Sequence, residues 1–134
     1  MNETRKWILH RVSAIILTPL YVWLYFSLIS ITHRITGVIN LVALILIFFS
    51  IIVLSFGESS YESFLFTINS FFGKFILIGF TWSMCFHLLS GIRHLVWDLG
   101  YGYEIKTANI SGIIVIISSL AVTIIFWLFG RGFI

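Results

Sequence analysis

Four histidines stand in this chain of 134 residues, and His87 lies where an ionisable group is least at home. It sits inside an apolar run, six residues before the nearest charge at Arg93, or about 9 Å of helical rise. Ionisable side chains at such depth in a membrane span are rare and usually functional. The segment reads His87-Leu-Leu-Ser-Gly91-Ile-Arg93-His94-Leu-Val-Trp97-Asp98-Leu-Gly100. On a helix, offsets of 4, 7 and 11 return to nearly the same face, so His87, Gly91, His94 and Asp98 form one stripe. A flat macrocycle needs such a stripe: a lone pair for iron, a residue without a side chain for close approach, and polar partners for propionates. The plainer reading of His87 is a neutral imidazole bonded to a serine or a carbonyl of a neighbouring helix. The ligand reading is preferred because Gly91 and His94 fall in line with it. Taken alone, His94 is a solvated side chain beside Arg93, Trp97 an interfacial anchor, and Arg93 with Asp98 a helix-end charge pair. Cys85, the one cysteine, excludes an internal disulfide and a cysteine-based zinc site and reads as packing.

A low-spin haem takes two axial ligands. His94 shares a helix with His87 and cannot sandwich the same iron. Either His33 closes the site or another chain supplies the second bond; a deep His87 against a His33 at a segment end favours the other chain. His33 belongs to a second polar cluster, Ser30-Ile-Thr-His33-Arg34-Ile-Thr36-Gly37, in which Ser30 and Arg34 lie one turn apart. A hydroxyl, a guanidinium and an imidazole at the membrane edge suit a quinone, whose carbonyl oxygens need donors and a proton path to water. The plainer reading is that Arg34 and His33 anchor a helix end. Leu9-His-Arg-Val-Ser-Ala-Ile-Ile-Leu echoes Thr32-His-Arg-Ile-Thr-Gly-Val-Ile-Asn 23 residues earlier, as a duplicated helix start or as chance in a biased alphabet.

The elements that position these groups follow from composition. The chain is 60% hydrophobic, 18% aromatic and 10% charged, against roughly 25% charged and about 45–50% apolar in soluble domains. That excludes a water-soluble single domain; one proline and ten glycines exclude a disordered chain. Eight Lys and Arg are too few for a nucleic-acid face. Charges punctuate uncharged runs at Val12–His33, Ile35–Gly57, Phe75–Ile92 and Thr107–Gly130. Backbone groups cannot go unsatisfied in hydrocarbon, so these are helices. The spacing predicts an all-α integral membrane protein forming a single domain over 1–134, with an apolar helix over 12–32 and spans over 35–56, 75–97 and 108–129. Tyr61 to Gly73 reads as an interfacial approach to the Lys74 helix. The positive-inside rule draws Arg5, Lys6, Arg11, Arg34, Arg93 and Lys106 to one side, which four full spans cannot satisfy. Length favours a spanning 12–32 segment; charge favours one lying in the interface, kinked near Pro19. A signal peptide fits poorly, since the apolar run is too long and no small-residue cleavage site follows it. A small four-helix transporter is the rival class, but all five acids lie at segment ends or in loops.

With these motifs in view, the chain resembles the cytochrome b membrane-anchor subunit family of succinate dehydrogenase. His87-x-x-x-Gly91-Ile-Arg93-His94-Leu-x-Trp97-Asp98-x-Gly100 fits one family signature throughout, and Ser30-x-x-His33-Arg34-x-Thr36-Gly37 fits the second half of another. The likeness covers about residues 27–130. It implies a three-helix anchor paired with a second small anchor subunit, haem b shared between them, and docking to iron–sulfur and flavoprotein subunits. His87 would be an axial haem ligand, with the other from the partner anchor. Ser30 and Arg34 would line the ubiquinone site. His33, Arg34 and His94 would lie near the propionates, and Asp98 in the quinone-side network. The membrane would be the mitochondrial inner or the bacterial plasma membrane. A haem-free structural anchor is the remaining alternative. Residues 1–26 depart from the family: Trp7-Ile-Leu-His-Arg-Val-Ser-Ala-Ile-Ile-Leu-Thr-Pro-Leu is more similar to the first helix of the partner anchor.

Overall fold

The computed structural model describes residues 3–131, with side-chain surroundings throughout 28–130 and at a few earlier positions. The side chains of His10 and Pro19 lie outside that description. Four helices follow one another: α1 (Glu3–Ser55), α2 (Glu58–Ile68), α3 (Phe71–Asp98) and α4 (Ile105–Arg131). Three stretches among the described residues are long and apolar enough to cross a membrane: Leu28–Ser55, Phe71–Asp98 and Ile105–Gly130. The second and third begin a few residues before the spans read from charge spacing, and the first lies within a helix that starts at Glu3. The charges that punctuate the sequence therefore lie within helical turns rather than beyond them.

The chain divides into two compact units, Met1–Thr32 and His33–Ile134. The division falls at the polar cluster around His33, where the sequence places a segment boundary, although helical backbone is assigned on both sides of it. The first unit is helical from Glu3 onward and keeps Ile15, Ile16 and Leu17 exposed, as a helix in contact with lipid requires.

In the second unit, local signals fix the helix ends. Ser70 caps α3, its hydroxyl accepting the Gly73 amide at 3.2 Å. The far end closes in a Schellman turn: the Tyr101 amide donates to the Val96 carbonyl and the Gly100 amide to that of Trp97. Gly100 stands at φ 87° there, a conformation that favours glycine. The stretch read as an interfacial approach forms a helix of its own, α2, with Glu58 in its first turn, where a carboxylate suits the helix dipole.

α3 and α4 run antiparallel and pack along their length. The buried positions of α4 are Ala108, Gly112, Val115, Ser119 and Thr123; those of α3 are Ser83, Phe86, Ser90 and Arg93, of which Ser83 bonds α1 and Arg93 bonds α4. Small residues let two backbones approach where lipid offers no hydrophobic drive to association. Two α4 hydroxyls are satisfied locally, Ser119 donating to the Ile116 carbonyl and Thr123 to that of Ser119. The ends are tied: Trp127 Nε1 donates to Thr81 Oγ1 at 3.3 Å, and the Arg93 guanidinium reaches the first turns of α4. Ser119→Leu, which drives a bulky side chain into this seam, is expected to cost about 1–3 kcal/mol. It should appear as a lower melting temperature in detergent.

Candidate functional site

The site lies where the His33–Asn40 turn of α1 meets the second half of α3. Two α3 side chains one turn apart, Ser83 and His87, both reach the α1 backbone. Ser83 Oγ lies 3.1 Å from the Thr36 carbonyl and 2.9 Å from Asn40 Oδ1. His87 Nδ1 lies 3.1 Å from the His33 carbonyl and 3.3 Å from Thr36 Oγ1. Thr36 Oγ1 in turn donates to the same His33 carbonyl at 2.9 Å. Running down α3 from 87 to 83 carries the contacts up α1 from 33 to 40, so the two helices are antiparallel.

A carbonyl oxygen only accepts, so His87 Nδ1 carries the proton. In its neutral form the ring presents an Nε2 lone pair, which no group among the described residues engages. Metal-bound histidines commonly hold their other nitrogen in this way. The approach depends on Gly37: a Cβ there would stand 3.2 Å from His87 Cε1 and 3.7 Å from Nδ1, tighter than side chains ordinarily pack. Gly91 is less constrained, since a Cβ there would meet only His33 Cε1 at 3.9 Å.

His33 is not at a separate, shallower level from His87. Its ring stacks on that of His87, centroids 4.1 Å apart and planes 7° from parallel, and on that of His94 at 5.0 Å and 22°. His33 Nδ1 is buried with no hydrogen-bond partner among the described residues, as is Ser90 Oγ. His94 donates from Nδ1 to the Ser90 carbonyl at 2.7 Å, four residues back on its own helix. Lone pairs lie in ring planes, so stacked imidazoles cannot converge on an ion between them. Among the described residues, no three His, Cys, Asp or Glu side chains are placed to hold one.

Burial describes the other expected residues. Ser30 is part-buried at the end of the first unit; Arg34 is exposed at the start of the second. Asp98 is exposed as the last residue of α3. Arg93 departs most from its reading as a helix-end charge. It is buried, donates from Nε to Ser111 Oγ at 3.0 Å and from a terminal nitrogen to the Ala108 carbonyl at 2.9 Å, and lies 4.0 Å over the Trp97 ring. Trp97 also holds the loop, donating to the Gly102 carbonyl and stacking on Tyr103. Sequence reasoning passed over Ser83 and Asn40 and gave Thr36 and Gly37 no contact with His87. Ser83 was open to discovery, being one turn from His87 on the same face.

Three apolar helices and a hydroxyl-lined seam, with a cluster of stacked imidazoles between α1 and α3, define a multi-pass membrane protein. Residues 25–126 match the family model for the succinate dehydrogenase/fumarate reductase transmembrane subunit, and the chain belongs to that family. The succinate dehydrogenase cytochrome b556 subunit of Rickettsia prowazekii (strain Madrid E) is 48% identical to it over 54 residues, 40% of this chain and 44% of that one. The b556 subunit of Paracoccus denitrificans is 40% identical over 58 residues, 43% and 45% of the two chains. The cytochrome b560 subunit of Reclinomonas americana is 41% identical over 81 residues, 57% and 56%. The chain thus spans about half the length of the curated relatives it matches. These relatives are bacterial and mitochondrial, which agrees with a multi-pass protein of the bacterial plasma or mitochondrial inner membrane.

Arg93→Ala should loosen the α3–α4 end and cost about 1.5–3 kcal/mol, the worth of hydrogen bonds from a charged donor. Arg93→Lys should recover only part, because an ammonium lacks the planar fork. Thermal unfolding in detergent measures both.

Proposed function

We propose that this chain is the haem b-carrying anchor of a succinate:ubiquinone oxidoreductase, passing electrons from an iron–sulfur subunit to ubiquinone. The observation that carries the reading is His87. It is an imidazole within a span, its Nδ1–H given to a backbone carbonyl and its Nε2 lone pair unengaged among the described residues, in a chain whose relatives are named cytochromes b. This donor chemistry fits an axial haem ligand. When bound, haem b supplies a one-electron store within the membrane.

His87 would hold iron through Nε2. The opposite bond would come from a second small anchor subunit, which the parallel stacking of His33 on His87 supports. His33, Arg34 and His94 would meet the propionates, and Gly91 would keep its position clear of a side chain. Ser30 and Arg34 would bind ubiquinone, the hydroxyl and guanidinium donating to a quinone carbonyl oxygen. Reduction of the quinone takes two electrons from the iron–sulfur subunit and two protons from water at the membrane edge. Asp98 would belong to that proton-side network; a carboxylate at the C-terminal end of a helix opposes the helix dipole, so helix stability is no reason for it to be there. The sequence holds no flavin fingerprint and a single cysteine, so succinate oxidation would fall to a flavoprotein subunit and the iron–sulfur clusters to another chain. The whole chain, 1–134, is read as one anchor domain.

In the purified complex, His87→Ala should abolish or strongly weaken the b-type bands in reduced-minus-oxidised spectra. Unchanged bands would refute the ligand assignment, and absence of bands in the parent complex would favour a haem-free structural anchor. Arg34→Ala should lower quinone reductase turnover about ten- to hundredfold, the loss expected for one charge-assisted hydrogen bond, with assembly preserved. Normal reductase kinetics would remove Arg34 from the quinone site.

A further inference from the structure

We infer that the α1 turn His33–Gly37 is a positioning device for His87, in which the Thr36 hydroxyl and the His33 carbonyl together set the rotation and donor strength of the imidazole. The inference rests on the reading of His87 as an iron ligand and goes beyond it by assigning that control to Thr36.

Thr36 is 1% exposed, and its hydroxyl is placed between two groups rather than one. It donates to the His33 carbonyl at 2.9 Å and lies 3.3 Å from His87 Nδ1, so its lone pair can share the Nδ1–H with that carbonyl at 3.1 Å. Two acceptors on one N–H fix the ring about its bond to the side chain better than one, since a turn of the ring away from either weakens the pair. Below it, Ser83 holds the Thr36 carbonyl, so the turn carrying the hydroxyl is itself pinned to α3. On the open side Gly37 leaves just enough room, its missing Cβ being 3.2 Å from His87 Cε1.

Hydrogen bonding at the far nitrogen raises the basicity of a metal-bound histidine, and a more basic ligand favours the oxidised metal. Thr36 thus contributes to a lower haem potential. The carbonyl is the nearer acceptor and keeps its bond when the hydroxyl is removed, so the effect of Thr36 is a shift and not a loss of ligation. Valine retains the branched shape without the hydroxyl, and serine retains the hydroxyl without the methyl.

The test uses the purified complex with Thr36→Val, Thr36→Ser, Gly37→Ala and His87→Ala. Thr36→Val should retain haem while its midpoint potential becomes more positive and its ferric low-spin electron paramagnetic resonance signal shifts or broadens. Thr36→Ser should restore both. Gly37→Ala, which crowds the ring directly, should lower haem retention or convert part of the signal to high spin. An unchanged or more negative potential in Thr36→Val, with parent-like spectra in Gly37→Ala, overturns the inference. If His87→Ala loses haem in that same set, the ligand assignment survives and only the role of the turn falls. If His87→Ala keeps haem, the ligand assignment fails first.

Discussion

The hydrogen bond from His87 Nδ1 to the His33 carbonyl constrains the rest of this structure. In a bilayer an imidazole cannot turn to water for a partner, and a side-chain N–H left unpaired there is costly. A helix carbonyl already accepts one amide, and the remaining lone pair of the His33 carbonyl is shared between the Thr36 hydroxyl and His87 Nδ1. Using it requires a close approach of α1 and α3. Gly37 permits that approach by having no Cβ to meet the ring, and Ser83 sets the register by reaching the Thr36 carbonyl and Asn40 one turn further along. The bond therefore dictates which α1 residues face α3, and through them how the second unit is assembled.

The same solvent explains why the buried positions look inverted beside those of a soluble protein. Ile29, Phe86, Ala108 and Val115 are the buried hydrophobic residues among those described, while Thr36, Ser83, Ser90, Arg93, Ser119 and Thr123 are buried polar ones. Leucine and isoleucine lose nothing by facing acyl chains, so burial is reserved for groups that lipid cannot serve. The Thr36, Ser119 and Thr123 hydroxyls bond carbonyls of their own helix, and that of Ser83 links α3 to α1. Arg93 follows the same rule on a larger scale. Its charge is carried inward to the α4 carbonyl and serine that can solvate it, with the Trp97 face beneath.

Much of this could be read from residue order, and the remainder could not for a definable reason. Charge spacing at Arg34, Glu58, Lys74, Arg93 and Lys106 points to apolar helices, because charges are rare in hydrocarbon and the effect is one-dimensional, although the helices run on past these charges. The stripe through His87, Gly91 and His94 is equally one-dimensional, following from the helical repeat alone. What escaped was the pairing between helices. Nothing along the chain says that Thr36 faces α3, since Thr32 also stands near His33 and also bonds a carbonyl of its own helix. The position of His33 was misjudged for the same reason: its place near a segment end suggested a shallow ring, whereas antiparallel packing carries it to the level of His87. Arg93 looked like a surface charge because the serine and carbonyl that receive it belong to α4, 15 and 18 residues on.

Two readings of His87 that compete in the sequence cease to compete in three dimensions. A neutral imidazole bonded to a carbonyl of a neighbouring helix, the plainer of the two, is what the geometry contains. That bond occupies Nδ1 alone, and by fixing the proton there it leaves the Nε2 lone pair as the ring's acceptor. Under the proposed ligand role, satisfying the histidine and preparing it for iron would be one arrangement seen from its two nitrogens. A histidine whose only task was packing could equally donate from Nε2 and leave Nδ1 beside its own backbone, where no large group could reach it. The choice of Nδ1 as donor, enforced by Thr36 and the His33 carbonyl, puts the available lone pair on the nitrogen furthest from the helix. There the iron of the proposed haem would meet the least steric hindrance from this chain.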